Sequence, residues 1–239
     1  MKPRYQQTII TVLLVVIFSS IFFVLAKHNM AAVTASISDR PVTIVIDAGH
    51  GGEDGGAIGI DGIPESHINL SISLRLEQLL SFCGYQTHMI RSADTAVYSD
   101  GDTISERKMS DLKNRVSIVN SIDPAILISI HQNHFSQEKY FGAQVFYSKS
   151  TGSKELAENI QNSLRQALDP ENHRECKQSE SVYLMERICC PGVLIECGFL
   201  SNETESVLLQ QPAYQKQIVS AITCALSQYM SKGADKLEV

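Results

Sequence analysis

The sequence predicts a single α/β domain, built on a twisted, mostly parallel or mixed sheet flanked by helices and preceded by an N-terminal transmembrane segment. Three observations carry that expectation. Short apolar runs such as Thr43–Asp47 (TIVID) and Ala125–Ile130 (AILISI) have the near-continuous hydrophobicity of strands covered on both faces. Stretches with helical spacing separate these runs, which is the alternation that builds α/β layers. The chain has 239 residues, 44% of them hydrophobic, enough for one sizeable core with little left over for a second domain.

Lys2 and Arg4 precede a stretch from Thr8 to Ala26 that has no charged side chain, close to the ~20 residues that cross a hydrocarbon core. Positive charge ahead of the span predicts a cytoplasmic N-terminus with the following domain carried outward. The small residues Val33-Thr34-Ala35 offer a cleaved signal peptide and secretion as the alternative. Signal h-regions run only about 7 to 15 residues, which favours the anchor. Residues 1–27 are therefore read as anchor or signal segment, 28–40 as a polar linker, 41–231 as the folded domain and 232–239 as a polar tail.

Within the domain, TIVID is the first strand and a Gly-rich loop from Gly49 to Gly62 ends it. Ile68, Ile72, Leu76 and Leu79 or Leu80 fall at helical spacing and stop at Gly84. Tyr85–Ile90 reads as a second strand. Leu112, Val116 and Val119 mark one face of a helix over Ser105–Asn120, and AILISI follows as the third strand, running straight into His131. A strand at Gly142–Tyr147, a helix at Lys154–Leu168, a short strand at Val193–Ile195 and a last helix near Gln215–Tyr229 complete the order.

A net charge of −6 provides no basic footprint for a phosphate backbone, so nucleic acid is excluded as a partner class. The six cysteines show neither a disulfide framework nor metal-type pairing, and buried thiols are the simplest expectation.

Three apolar strands each deliver a polar group at or just past the C-terminal end: Asp47-Ala48-Gly49-His50, Ile130-His131 and Ile195-Glu196. In open α/β sheets that rim is where ligands bind. Glu65, at the start of the helix after the Gly-rich loop, is a fourth candidate. Two imidazoles and one carboxylate form a zinc set with a position free for water, and a second carboxylate can then act as general base. His50, Glu65, His131 and Glu196 supply that inventory, and the chemistry alone does not choose which glutamate ligates. Each residue also has an ordinary reading: a turn at His50-Gly51-Gly52, a helix-dipole charge at Glu65, a hydrogen-bonded rim histidine at His131, a loop acid at Glu196.

DAGHGG (Asp47 to Gly52), Glu65 ahead of Asn69-Leu70, SIHQN (Ser129 to Asn133) and IECGFLSN (Ile195 to Asn202) occur in an order that resembles the zinc-dependent N-acetylmuramoyl-L-alanine amidases of the type 3 class. The similarity spans about Val42 to Met230. It implies one zinc held by His50, Glu65 and His131, with Glu196 as catalytic acid/base, acting on the bond between N-acetylmuramic acid and L-alanine in peptidoglycan. The N-terminal span, SERKMSDLKNRVSIVN (Ser105 to Asn120) and VYLMERICCPG (Val182 to Gly192) further resemble the germination-specific spore-cortex members of that class. That likeness implies a forespore-envelope location, a first step toward muramic-δ-lactam and room for an accessory spore-envelope protein.

Two departures from the family pattern stand out. His134 follows Asn133 where a small residue is common; Asn133 is read as substrate-side, and His134 as substrate-side or merely exposed. Cys197 directly follows Glu196, and alternation along an extended chain predicts that it points away from the site. The rivals are a zinc carboxypeptidase or other wall peptidase using the same metal inventory, and a cell-wall-binding protein without turnover.

Overall fold

The computed structural model describes residues 41–235. The sheet has six strands: β1 (Thr43–Ala48), β2 (Gln86–Met89), β3 (Ala125–Asn133), β4 (Gln144–Tyr147), β5 (Lys177–Gln178) and β6 (Gly192–Phe199). Their spatial order is β2-β1-β3-β6-β4-β5. β2, β1, β3 and β6 run parallel, β4 is antiparallel to β6, and β5 runs parallel to β4. The sheet is mixed, as expected.

Alternation along β1 and β3 sorts the core into two layers. Ile44, Ile46, Ile126, Ile128 and Ile130 face one side and pack on α1 (Glu65–Phe82), α3 (Ser153–Leu168) and α6 (Pro212–Asp235) through Ile72, Leu76, Ile160, Leu164, Ile218 and Ile222. Val45, Leu127 and Leu194 face the other side against α2 (Ile104–Asn120) and α4 (Tyr183–Arg187), meeting Val119, Leu184 and Met185. This second layer is thinner, and it leaves the far part of its sheet face open.

Local chemistry sets several boundaries. α2 starts at a capping box, in which Glu106 N–H donates to the Thr103 hydroxyl and Thr103 N–H donates to the Glu106 carboxylate. Asn202 caps the short α5 (Glu203–Gln210) by accepting from Glu205 N–H.

Several expectations need correction. β3 and β6 extend past the predicted strand ends, so His131 and Glu196 lie inside strands and project from a sheet face. The polar residues at these positions hid the continuation, because a strand with one open face tolerates them there. β5, α4 and α5 had no sequence-level counterpart. α6 runs from Pro212 to Asp235, past both ends of the helix expected near Gln215–Tyr229. Of the six cysteines, all free, only Cys197 is buried; Cys83, Cys189 and Cys224 are exposed, contrary to the expectation of buried thiols. Among the described residues no helix is long and apolar enough to cross a membrane. The Thr8–Ala26 segment lies outside the described residues.

Candidate active site

His50, Glu65 and His131 come from three separate elements and converge. Their ligand atoms all lie within 4.8 Å of one another. Glu65 Oε2 is 3.3 Å from His50 Nε2, and Glu65 Oε1 is 3.0 Å from His131 Nδ1. The imidazole rings stand edge to face with centroids 5.0 Å apart.

Each side chain is held from behind. Asp54 Oδ2 lies 2.9 Å from His50 Nδ1, so that nitrogen carries the proton and Nε2 is left for a ligand. Glu65 is only 3% exposed and accepts from Ala57 N–H, Gln132 N–H and the Asn69 amide. Asn69 also donates to the Gly49 carbonyl and accepts from the Gln132 amide, tying the loop, α1 and β3 together.

Backbone geometry explains the glycines here. His50 has φ 59, in the left-handed region that non-glycine residues rarely enter. A Cβ on Gly49 would meet the His131 ring at 2.2 Å, and one on Gly56, at φ +69, would stand 2.6 Å from Glu65 Oε2. These positions admit glycine because the metal-type side chains occupy the space.

Two buried arginines brace the same loop. Arg115 of α2 donates to the Asp47 carboxylate and to the carbonyls of Ala48 and His50, and its Nε donates to Asp111. Arg91 donates to the carbonyls of Ala48, Gly49 and Ser66. Burial alone would raise the Asp47 carboxyl, but Arg115, His131 and the Ser129 hydroxyl overcome it and hold the group below its usual range.

The same competition runs through the centre. Burial pushes Glu65 up, but hydrogen bonds and charge from His131 and His50 outweigh it and keep the carboxylate well below the usual range. Burial pulls His50 down, but Asp54 and Glu65 push it up to about 9. A carboxylate this stabilised by neighbouring positive charge, with two imidazoles around it, is the donor set a divalent cation takes by displacing protons.

Glu196 pairs with His131 in register on the adjoining strand. Its Oε2 is shut off from solvent and, among the described residues, has no hydrogen-bond partner. Burial, reinforced by the Glu65 charge and opposed by His131 and His50, raises its pKa to about 7. A carboxyl that trades its proton near neutrality is suited to general acid-base work. Cys197 points the other way, into the helix-covered core, where burial pushes its thiol far up. Asn133 ends β3 and is partly buried, while His134 is exposed on the loop that follows.

Asp54, Arg91 and Arg115 have no role in the sequence reading, and Asn69 and Gln132 enter it only inside motifs, Asn69 behind Glu65 and Gln132 within SIHQN. Asp54 and Asn69 carry a faint signal, each four residues after a ligand candidate. Arg115 lies on the α2 stripe between Leu112 and Val119, a place that would ordinarily be read as apolar.

The fold and this centre define a metal-competent hydrolase, with a His-Glu-His group beside a carboxyl poised near neutral pH. A family profile described as N-acetylmuramoyl-L-alanine amidase matches residues 44–228, and the chain belongs to that family. The germination-specific N-acetylmuramoyl-L-alanine amidase of Bacillus subtilis (strain 168) is 37% identical over 197 residues, covering 82% of each chain. The CwlD amidase of Clostridioides difficile, solved in complex with the GerS lipoprotein, superposes with a TM-score of 0.77 at 41% identity, covering 80% of this chain and 98% of that one. An N-acetylmuramoyl-L-alanine amidase from Clostridium difficile 630 gives 0.68 at 28% identity, with 80% and 97% covered. Membership of this family sets aside the wall-peptidase and non-catalytic readings.

Proposed function

We propose that this amidase binds one zinc ion through His50, Glu65 and His131 and cleaves the amide between N-acetylmuramic acid and L-alanine in spore-cortex peptidoglycan. The observation that carries the reading is the three-residue donor set within 4.8 Å, next to an unpartnered Glu196 Oε2. Bound there, zinc would supply Lewis-acid polarisation of the scissile carbonyl and acidify the attacking water. Glu196 takes a proton from that water and delivers it to the departing alanine nitrogen, so one carboxyl serves as base and then acid. Asp54 keeps His50 in the tautomer that presents Nε2, and the Asn69 and Gln132 hydrogen bonds fix the Glu65 carboxylate. Asn133 and His134 lie on the substrate side of β3.

The products are a free stem peptide and a glycan strand with bare muramic acid, the first step toward muramic-δ-lactam. The germination-specific relative and the similarity to CwlD support the cortex as the place of action. The lipoprotein bound to CwlD supports an accessory envelope protein for this chain as well. Thr8–Ala26 anchors the domain on the outer side of the membrane, a placement that predicts recovery of the full-length chain in the membrane fraction; a soluble product beginning near Ser36 would argue against it.

Metal exchange tests the central assignment. Chelation should abolish turnover and stoichiometric zinc should restore it, whereas His50→Ala should neither retain nor recover the metal. Equal zinc in the two proteins would contradict the ligand set.

A further inference from the structure

Beside the centre, on the same sheet face, lies an open groove of about 580 Å³ whose wall runs from Glu196 and Leu194 over Phe146 to Lys177, Ser179 and Val182. Strand pairing dictates this arrangement. Asp47, Ser129, Leu194, Phe146 and Lys177 form one row across β1, β3, β6, β4 and β5, so their side chains share a face. Across that face the order is the metal-type cluster at β1 and β3, then Glu196 on β6, then the groove over β4 and β5.

The substrate has its atoms in the same order. The lactyl carbonyl of muramic acid is followed by the alanine nitrogen, and the nitrogen by the stem peptide. With the carbonyl at the His50-Glu65-His131 cluster and the nitrogen at Glu196, the peptide continues away from the cluster, toward β4 and β5. The muramyl group is left on the opposite side, next to His50.

We propose that the groove over β4 and β5 is the stem-peptide subsite, and that Lys177 selects peptides whose second residue carries a free carboxylate. This rests on the assignment of Glu196 as proton donor to the alanine nitrogen. The second residue is a γ-linked glutamyl group, which leaves its α-carboxylate unbonded. Lys177 lies two strands from β6, about 10 Å at ordinary sheet spacing. Two extended residues span roughly 7 Å, and the flexible lysine stem closes the remainder.

The groove floor suits such a chain. Phe146 and Leu194 supply apolar contact for the alanine methyl, and among the described residues the exposed Lys177 has no ion pair. Glu180 lines the same groove, so attraction for a carboxylate comes from Lys177 as a point contact rather than from a general positive field. The ion pair forms at a solvent-exposed edge, which keeps its effect modest and salt-dependent.

Two matched muropeptides test the subsite, one with a free carboxylate and one with a carboxamide on the second residue. The wild type should prefer the carboxylate in kcat/KM by about two- to five-fold, mainly through KM, and the preference should shrink in high salt. Lys177→Glu should invert it while zinc content and folded-state spectra stay those of the wild type. A preference that persists in Lys177→Glu, or an equal loss on both substrates, would overturn the role of Lys177. Undiminished turnover in Glu196→Gln would overturn the underlying placement of the alanine nitrogen, and the subsite with it.

Discussion

Glu196 carries two demands that its surroundings reconcile. A general acid-base group must hold a proton at neutral pH and also release it, and an ordinary carboxyl does not. The buried and unpaired Oε2 moves it to about 7. Glu196→Gln keeps the shape, so zinc content should remain near normal while turnover falls by ~100- to 10,000-fold. Loss of zinc in that variant would make Glu196 a ligand. The same shift has a stability consequence in chelated protein. The folded pKa stands above the unfolded 4.5, so the folded state holds the proton more tightly and stability declines as pH rises from about 4.5 to about 7. Glu196→Gln lacks that decline, and its denaturation midpoint should gain on the wild type between pH 5 and pH 8. A constant difference across that range would contradict the shift. At this scale the sequence was informative wherever a residue belonged to a motif: His50, Glu65, His131 and Glu196 were all visible. Asp54 was not singled out, because a polar residue in a Gly-rich loop has many ordinary uses, and Asn69 was visible only as a motif neighbour of Glu65, with no role attached.

The loop between β1 and α1 owes its shape to elements distant in sequence. Arg115, 3% exposed, reaches from α2 to Asp47 and to two carbonyls of the loop, including that of His50. A buried pair broken on one side leaves the other charge uncompensated, at a cost of about 3–5 kcal/mol. Arg115→Met should therefore lower stability by that order in chelated protein and weaken zinc binding as well. Unchanged stability together with unchanged affinity would show that the loop holds itself. No local pattern announces such a residue, since the burial of an arginine depends on an acid 68 positions away. Strand lengths were legible only in part for a related reason. β3 and β6 are packed on both faces at their start and open toward the site only near His131 and Glu196, so the continuous apolar runs stop before the hydrogen bonding does. β5, with two residues, and α4, with five, are too short for periodicity to register.

At the scale of the molecule, unequal cover on the two faces of one sheet produces the site. α1, α3 and α6, with Leu209 of α5, seal one face, while α2 and α4 cover only part of the other, leaving His131 and Glu196 room to meet a substrate. The layer architecture was readable from the alternation of apolar runs and helical periods, but the uneven cover was not, because it depends on where α2 and α4 end. The bond this arrangement cleaves is the amide of N-acetylmuramoyl-L-alanine, as in the family to which the chain belongs. Mass analysis of muropeptides after incubation of cortex peptidoglycan with the zinc-loaded protein tests it most directly. Intact stem peptides beginning with L-alanine are expected, together with glycan whose muramic acid carries a free lactyl carboxyl. Shortened peptides still attached to the glycan would contradict it.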